Sequence, residues 1–216
     1  MSLERDGFAV VRGVIDAARV EALRAVLGGE THAQRNLLDI GEVREMALAL
    51  RPIMASYLGA ECFAVRGTLF DKIADANWHV PWHQDLTILV RERRDFEGFG
   101  PWTVKAGRIA VQPPVEVLEQ MLAVRVHLDD CPPENGALRL VAGSHRLGRV
   151  NGRPDGEVVT PHLSAGDALL MRPLAVHASS PSASASHRRV IHIEFAAHDL
   201  PGGLEWFDRV GPTLEV

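Results

Sequence analysis

Arg188-Arg189-Val190-Ile191-His192-Ile193-Glu194-Phe195 alternates with a period of two. Successive side chains leave an extended chain on opposite faces. Ile191, Ile193 and Phe195 therefore form one apolar face, and Arg188, Val190, His192 and Glu194 share the other. Val124-Arg125-Val126-His127-Leu128-Asp129 repeats the pattern, with Val124, Val126 and Leu128 opposite Arg125, His127 and Asp129. A helical face would need spacings of three and four. Both stretches thus predict strands with one apolar and one polar face, and alternation alone does not say which face is inside. A sandwich or barrel with functional groups inside has this texture.

Around them, from Cys62 to Phe195, short β-branched and apolar segments alternate with Gly, Pro, Asn and Asp turns. The N-terminal part reads differently. Phe8–Ile15 predicts a strand, and Asp16 caps a helix over Ala17–Leu27 that Gly28-Gly29 closes. A second helix is expected over Gly41–Leu58, bent near Pro52. Ser179–Ser186 reads as a loop of Ser, Ala and Pro. The expected architecture is mainly β with flanking N-terminal helices. It forms one domain over 1–216, with a largely helical flank at 1–60 and a β core at 61–200.

The bulk numbers narrow the classes. A chain of 216 residues that is 46% hydrophobic can bury one sizeable core. No apolar run reaches the ~20 residues of a membrane span, and the first residues lack a basic segment followed by an apolar one. Two cysteines, Cys62 and Cys131, imply no disulfide framework. A cytoplasmic protein is expected. A net charge of −5 without a basic stripe argues against nucleic acid as a partner, and the sequence does not define an oligomeric state.

Chemistry enters with Trp82-His83-Gln84-Asp85. On a strand His83 and Asp85 aim at one point while Gln84 points away. His177, on a distant segment, would add a second imidazole. Two imidazoles and a carboxylate are the facial ligand set of a non-haem Fe(II) oxygenase, with positions left open for dioxygen and a chelating 2-oxo acid. Arg188, eleven residues beyond His177, offers a planar fork for a carboxylate. Ser179, two residues past His177, can add a hydroxyl. The presence of Asp85 favours hydroxylation or a related oxidation over halogenation, which needs that position free for a halide.

With those residues in place, the chain resembles the phytanoyl-CoA dioxygenase family of Fe(II)/2-oxoglutarate oxygenases. The likeness runs in order through Asp6-Gly7-Phe8, Leu69-Phe70-Asp71-Lys72, Trp82-His83-Gln84-Asp85, Asn135–Arg146, Gly166-Asp167-Ala168-Leu169-Leu170, His177 and Arg188. It implies a double-stranded β-helix (a jelly roll, cupin-like), with His83, Asp85 and His177 as iron ligands. It further implies Arg188 as the 2-oxoglutarate anchor, Ser179 as its helper, and Lys72 near cosubstrate or substrate. The expected function is hydroxylation of a small organic molecule with Fe(II), 2-oxoglutarate and O2, releasing succinate and CO2. Two rivals are a non-catalytic jelly-roll module that binds a metal or ligand, and an oxygenase acting on a protein.

Lesser expectations complete the reading. Arg189 shares the phase of Ile191 and Ile193 and belongs outside. Trp82 reads as core, while Trp78 and His79 border the substrate. His145 reads as a turn residue. Arg125, His127 and His192 are divided between pocket contact and ordinary polar packing. Arg91–Arg94 reads as a solvated segment. Phe96–Lys105, with Phe99 and Trp102 among glycines, reads as a loop able to cover the active site.

Overall fold

The alternating stretch is strand β12 (Arg188–Ala196), central in the computed structural model, which describes residues 1–27, 33–73, 76–132, 135–182 and 187–212. It lies between β2 (Phe63–Lys72) and β7 (Met121–His127), and β10 (Ala168–Met171) and β1 (Phe8–Val11) extend the sheet to five antiparallel strands. A facing sheet holds β3 (Val80–His83), β11 (His177–Ser179), β8 (Leu138–Val141) and β9 (Val158–Val159) in the order β3-β11-β8-β9. A third, small sheet joins β4 (Ile88–Val90), β5 (Trp102–Lys105) and β6 (Arg108–Val111). The fold is a mainly antiparallel jelly roll.

Helices cover only the outer face of the five-stranded sheet. α2 (Ala17–Val26) begins where the Asp16 carboxylate accepts from the Arg19 amide at 2.8 Å. α3 (Gly41–Leu58) runs unbroken through Pro52, whose ring sits on the exposed side. Val43, Met46, Leu50 and Met54 of α3 pack with Leu23 of α2 on Val124, Val126, Ile191, Ile193 and Phe195. Each large side chain withdrawn into this layer contributes roughly 1.5–3 kcal/mol. A short helix, α1 (Leu3–Asp6), and another, α4 (Val115–Glu119), lie at the margins. Between the sheets, Phe8, Ala123, Leu140, Leu163, Leu169 and Met171 close one end with apolar contacts.

Several expectations change. The first strand stops at Val11 instead of Ile15, because Arg12 leaves the ladder to pair with Asp167 and Gly13 turns with φ +58°. It also belongs to the main sheet, so the β core begins within the N-terminal flank. Trp82 is not core. The face of β3 opposite His83 has no helix over it, and Arg139 and Arg153 stack on the Trp82 ring at 5.2 and 5.6 Å. Phe96–Lys105 is not a continuous loop. Trp102–Lys105 is strand β5, hairpinned to β6 through Ala106 and Gly107, both at positive φ, while Phe99 is buried in the core cluster with Leu200 and Leu204. Ser179 ends β11 and is not loop. The Gly28-Gly29 helix stop and residues 183–186 of the Ser/Ala/Pro loop lie outside the described residues.

Gly166, in the turn before β10, adopts φ +88°, and a Cβ there would sit 2.6 Å from the Ile15 carbonyl oxygen. Gly166→Ala is therefore expected to destabilise by at least about 1 kcal/mol, a fall of roughly 2–4 °C in melting temperature. Thermal unfolding followed by circular dichroism would measure it.

Candidate metal centre and anion pocket

Antiparallel pairing of β3 with β11 sets His83 opposite His177, although 94 residues separate them in the chain. Asp85 lies two residues past the end of β3, its amide donating to the Pro173 carbonyl at 2.9 Å. The ring centroids of His83 and His177 lie 4.1 Å apart. Asp85 Oδ1 is 3.9 Å from His83 Nε2, and Asp85 Oδ2 is 3.8 Å from His177 Nε2. One donor atom from each of the three falls within 4.8 Å of the others. Gln84 points the other way, bonding the Gly148 and Leu174 carbonyls and the Val150 amide.

The backbone fixes the imidazole tautomers. His83 Nδ1 lies 2.8 Å from the Pro81 carbonyl, and His177 Nδ1 lies 2.9 Å from that of Ala175. A carbonyl only accepts, so each Nδ1 carries a proton, and in the neutral ring Nε2 turns a lone pair inward. Burial, offset in part by Asp85, lowers His177 to about 4 and keeps it neutral at ordinary pH. Burial would raise the Asp85 carboxyl, but His177, His192, His83 and Arg66 outweigh it and hold the group well below the usual carboxylate range. Three electron-pair donors thus converge with no proton donor among them, which suits a divalent cation. His83 is the most open of the three, its side chain 37% exposed against 22% for Asp85 and 3% for His177.

A cavity of about 540 Å³ extends from these groups between the sheets. Its wall on the large sheet is a register of inward residues: Lys72 beside Arg188, Phe70 beside Val190 and His127, Thr68 beside His192 and Arg125, Arg66 beside Glu194. From the facing sheet come Val80, Leu138 and Ser179, with Trp78 at the edge. Lys72 Nζ donates to Ser179 Oγ at 3.1 Å and to the Ser180 carbonyl at 2.8 Å, and lies 5.4 Å from the Trp78 ring centre. Arg188 donates through Nη1 to the carbonyls of Gly136 and Asn135. Its buried Nε has no hydrogen-bond partner among the described residues. Arg125 bonds His192 Nδ1 at 2.9 Å.

Lys72, Arg125 and Arg188 are all buried, and among the described residues none forms an ion pair with a carboxylate. Burial, followed by the neighbouring Arg188 and Arg125, lowers Lys72 to about 8, and burial lowers Arg125 to about 10. Keeping three cations in a low-dielectric pocket is costly, so the pocket selects an anionic guest. His127, lowered to about 3 by burial and by Arg125, stays neutral beside them.

All six residues expected at the site (Lys72, His83, Asp85, His177, Ser179 and Arg188) line this one cavity. Arg189 lies outside the cavity, held by both carboxylate oxygens of Asp129 at 2.8 and 2.9 Å. His145 packs on Gly7, where a Cβ would meet its ring. Trp78 borders the cavity but His79 does not. The sequence reading missed Arg66, whose Nη2 pairs with Glu194, and the Asn135-Gly136 carbonyls that receive Arg188. The spacing Arg66-x-Thr68-x-Phe70-x-Lys72 carries the signal for Arg66.

A family model described as phytanoyl-CoA dioxygenase matches residues 30–190. Among solved structures, the chain is similar to HygX from Streptomyces hygroscopicus with nickel and 2-oxoglutarate bound. The identity is 18% over 90% of this chain and 83% of that one, with a TM-score of 0.64. It is also similar to the epimerase SnoN in complex with Fe3+, alpha ketoglutarate and nogalamycin RO, at 19% identity over 98% and 92% with a TM-score of 0.68. A third is AviO1 from Streptomyces viridochromogenes Tue57, at 24% identity over 93% and 92% with a TM-score of 0.60. These likenesses establish the fold. No curated protein sequence matches the chain.

Proposed function

The chain belongs to the phytanoyl-CoA dioxygenase family, and from that premise we propose that it is an Fe(II)- and 2-oxoglutarate-dependent dioxygenase that hydroxylates a small organic molecule. The observation that carries the reading is the juxtaposition, in one cavity, of a cation-ready donor triad with three buried cations. A divalent metal and a dianionic cosubstrate satisfy both halves at once. A module that binds metal alone has no use for Lys72, Arg125 and Arg188. The whole of 1–216 acts as one domain in this reading.

His83, Asp85 and His177 hold the metal. Bound iron supplies activation of dioxygen coupled to oxidative decarboxylation of 2-oxoglutarate to succinate and CO2, the chemistry a cofactor brings and a protein positions. Arg188, whose Nε has no hydrogen-bond partner among the described residues, would receive the far carboxylate of the cosubstrate, and the Lys72 ammonium and Ser179 hydroxyl would converge on the same end. The Pro81 and Ala175 carbonyls keep both imidazoles turned inward before anything binds, so little reorganisation is needed. Phe70, Trp78, Val80 and Leu138 exclude water from the reacting region.

The charge on Lys72 gives the reading a pH signature. The ammonium attracts the cosubstrate while protonated and stops doing so as pH rises through about 8. The apparent 2-oxoglutarate requirement is therefore expected to climb above that pH. In Lys72→Arg the climb should vanish, because a guanidinium keeps its charge. Initial rates at a series of pH values would read this out. Function itself is tested by supplying Fe(II), 2-oxoglutarate and O2 with candidate small molecules, then scoring succinate release and a product 16 mass units heavier. Succinate release that no small molecule stimulates, with a peptide stimulating it instead, would overturn the substrate assignment.

A further inference from the structure

A second cavity, of about 590 Å³, meets the first along Arg66, Thr68 and Phe70. Its remaining wall includes Arg35, Asn36, Leu89 and Lys105, and among the described residues none of the lining is acidic. Arg66 is neutralised by Glu194 at 2.5 Å. Among the described residues neither of the other two cations forms an ion pair: Lys105 Nζ donates to the Thr87 hydroxyl at 2.8 Å, and the Arg35 side chain has no hydrogen bond.

Arg35 is held in place by backbone. It bridges Thr68 in antiparallel fashion, and the Leu69 amide donates to the Gln34 carbonyl at 2.8 Å. Asn36, next in the chain, takes a left-handed conformation at φ +63°, which a non-glycine residue adopts at a cost. The segment is thus pinned to the inward-facing strand β2 and presents its guanidinium at the cavity. Lys105 reaches the same cavity from the end of β5, an element that the helices do not cover. Phe70 and Leu89 add apolar surface to the same lining.

We infer that this second cavity is the outer part of the substrate site and that the substrate carries an anionic group, a carboxylate or a phosphate, seated between Arg35 and Lys105. Its apolar body lies along Phe70 and Leu89, and its far end enters the cavity of the metal triad. The inference rests on the proposed function for which end reacts. Arg35 and Lys105 are specificity residues here: they take no part in holding metal or cosubstrate.

The test uses phenylacetate, phenyl phosphate and neutral phenylacetamide as probes. Each is titrated calorimetrically into the full chain loaded with Zn(II) and 2-oxoglutarate, so that the anchor residues are occupied and no turnover occurs. At least one anion is expected to bind about tenfold or more tightly than the amide, the scale of one charge-assisted contact. The Arg35→Ala/Lys105→Ala double variant should erase that preference, whereas Arg35→Lys/Lys105→Arg should keep it. Both residues are exposed, so the variants should fold. Tighter phenyl phosphate points to a phosphoester substrate, and tighter phenylacetate to a carboxylic acid. Equal binding of anion and amide, or a preference that survives the double alanine variant, overturns the inference. The proposed function fails separately: it falls if the protein does not form the Fe(II)–2-oxoglutarate complex, while the dependence of anion binding on Arg35 and Lys105 is still read from probes added to metal-free protein.

Discussion

Asp85→Ala is expected to leave a folded protein that binds Fe(II) at least about a hundredfold more weakly and releases no substrate-dependent succinate. Residues that merely support metal ligands already cost 10–100-fold when lost, and Asp85 is itself one of the three donors in this account. It is also the only carboxylate in the cluster with His83 and His177. Without it, a dication would approach two imidazoles in the field of the buried Arg125. Folding should survive, because the structural bond at this position is the Asp85 amide to Pro173, which alanine keeps. Asp85→Asn separates charge from shape and should also fail to hold iron tightly. Metal content by mass spectrometry after dialysis, beside a melting curve, reads both effects. Full activity in Asp85→Ala would remove it from the ligand set.

The second large effect belongs to Arg188. Arg188→Ala is expected to raise the apparent 2-oxoglutarate requirement by roughly 10–100-fold, the worth of a buried hydrogen bond to a charged group, with iron binding little changed. Arg188→Lys should recover part of the loss, since it restores charge without the planar fork. Arg189 supplies the control. Its guanidinium grips Asp129 on the outer face, so Arg189→Ala should lower the melting temperature and leave the cosubstrate requirement flat. If instead Arg189→Ala shifted that requirement and Arg188→Ala did not, the anchor would be misassigned.

Much of this was legible before any coordinates. Alternation in Arg188–Phe195 and Val124–Asp129 separates an apolar from a polar face in β12 and β7, and the fold then puts the helices on the apolar one and the cavity on the other. His83 and Asp85 were singled out by their i, i+2 spacing, although β3 ends at His83 and Asp85 lies just past it. His177 was different: the ligand set called for a distant histidine, but its pairing opposite His83 is a tertiary fact that no local spacing states. What stayed hidden has physical causes. In β2 the outward position 67 is glycine, packed so closely that a Cβ would lie 3.1 Å from Leu37 Cβ, and this gap in the apolar face masked the row from Arg66 to Lys72. The β5–β6 hairpin turns on Ala106-Gly107, where an Asn-Gly or Asp-Gly pair would have announced it. Trp82 was read as core because it is large and apolar, yet its strand face has arginines above it instead of a helix.

The most direct test of the central claim is an anaerobic titration of Fe(II)-loaded protein with 2-oxoglutarate, followed by visible absorption. A weak charge-transfer band should appear at one equivalent in the wild type, be lost in His177→Ala, and require far more 2-oxoglutarate in Arg188→Ala. A folded protein that holds one iron yet gives no band at saturating 2-oxoglutarate would contradict the account.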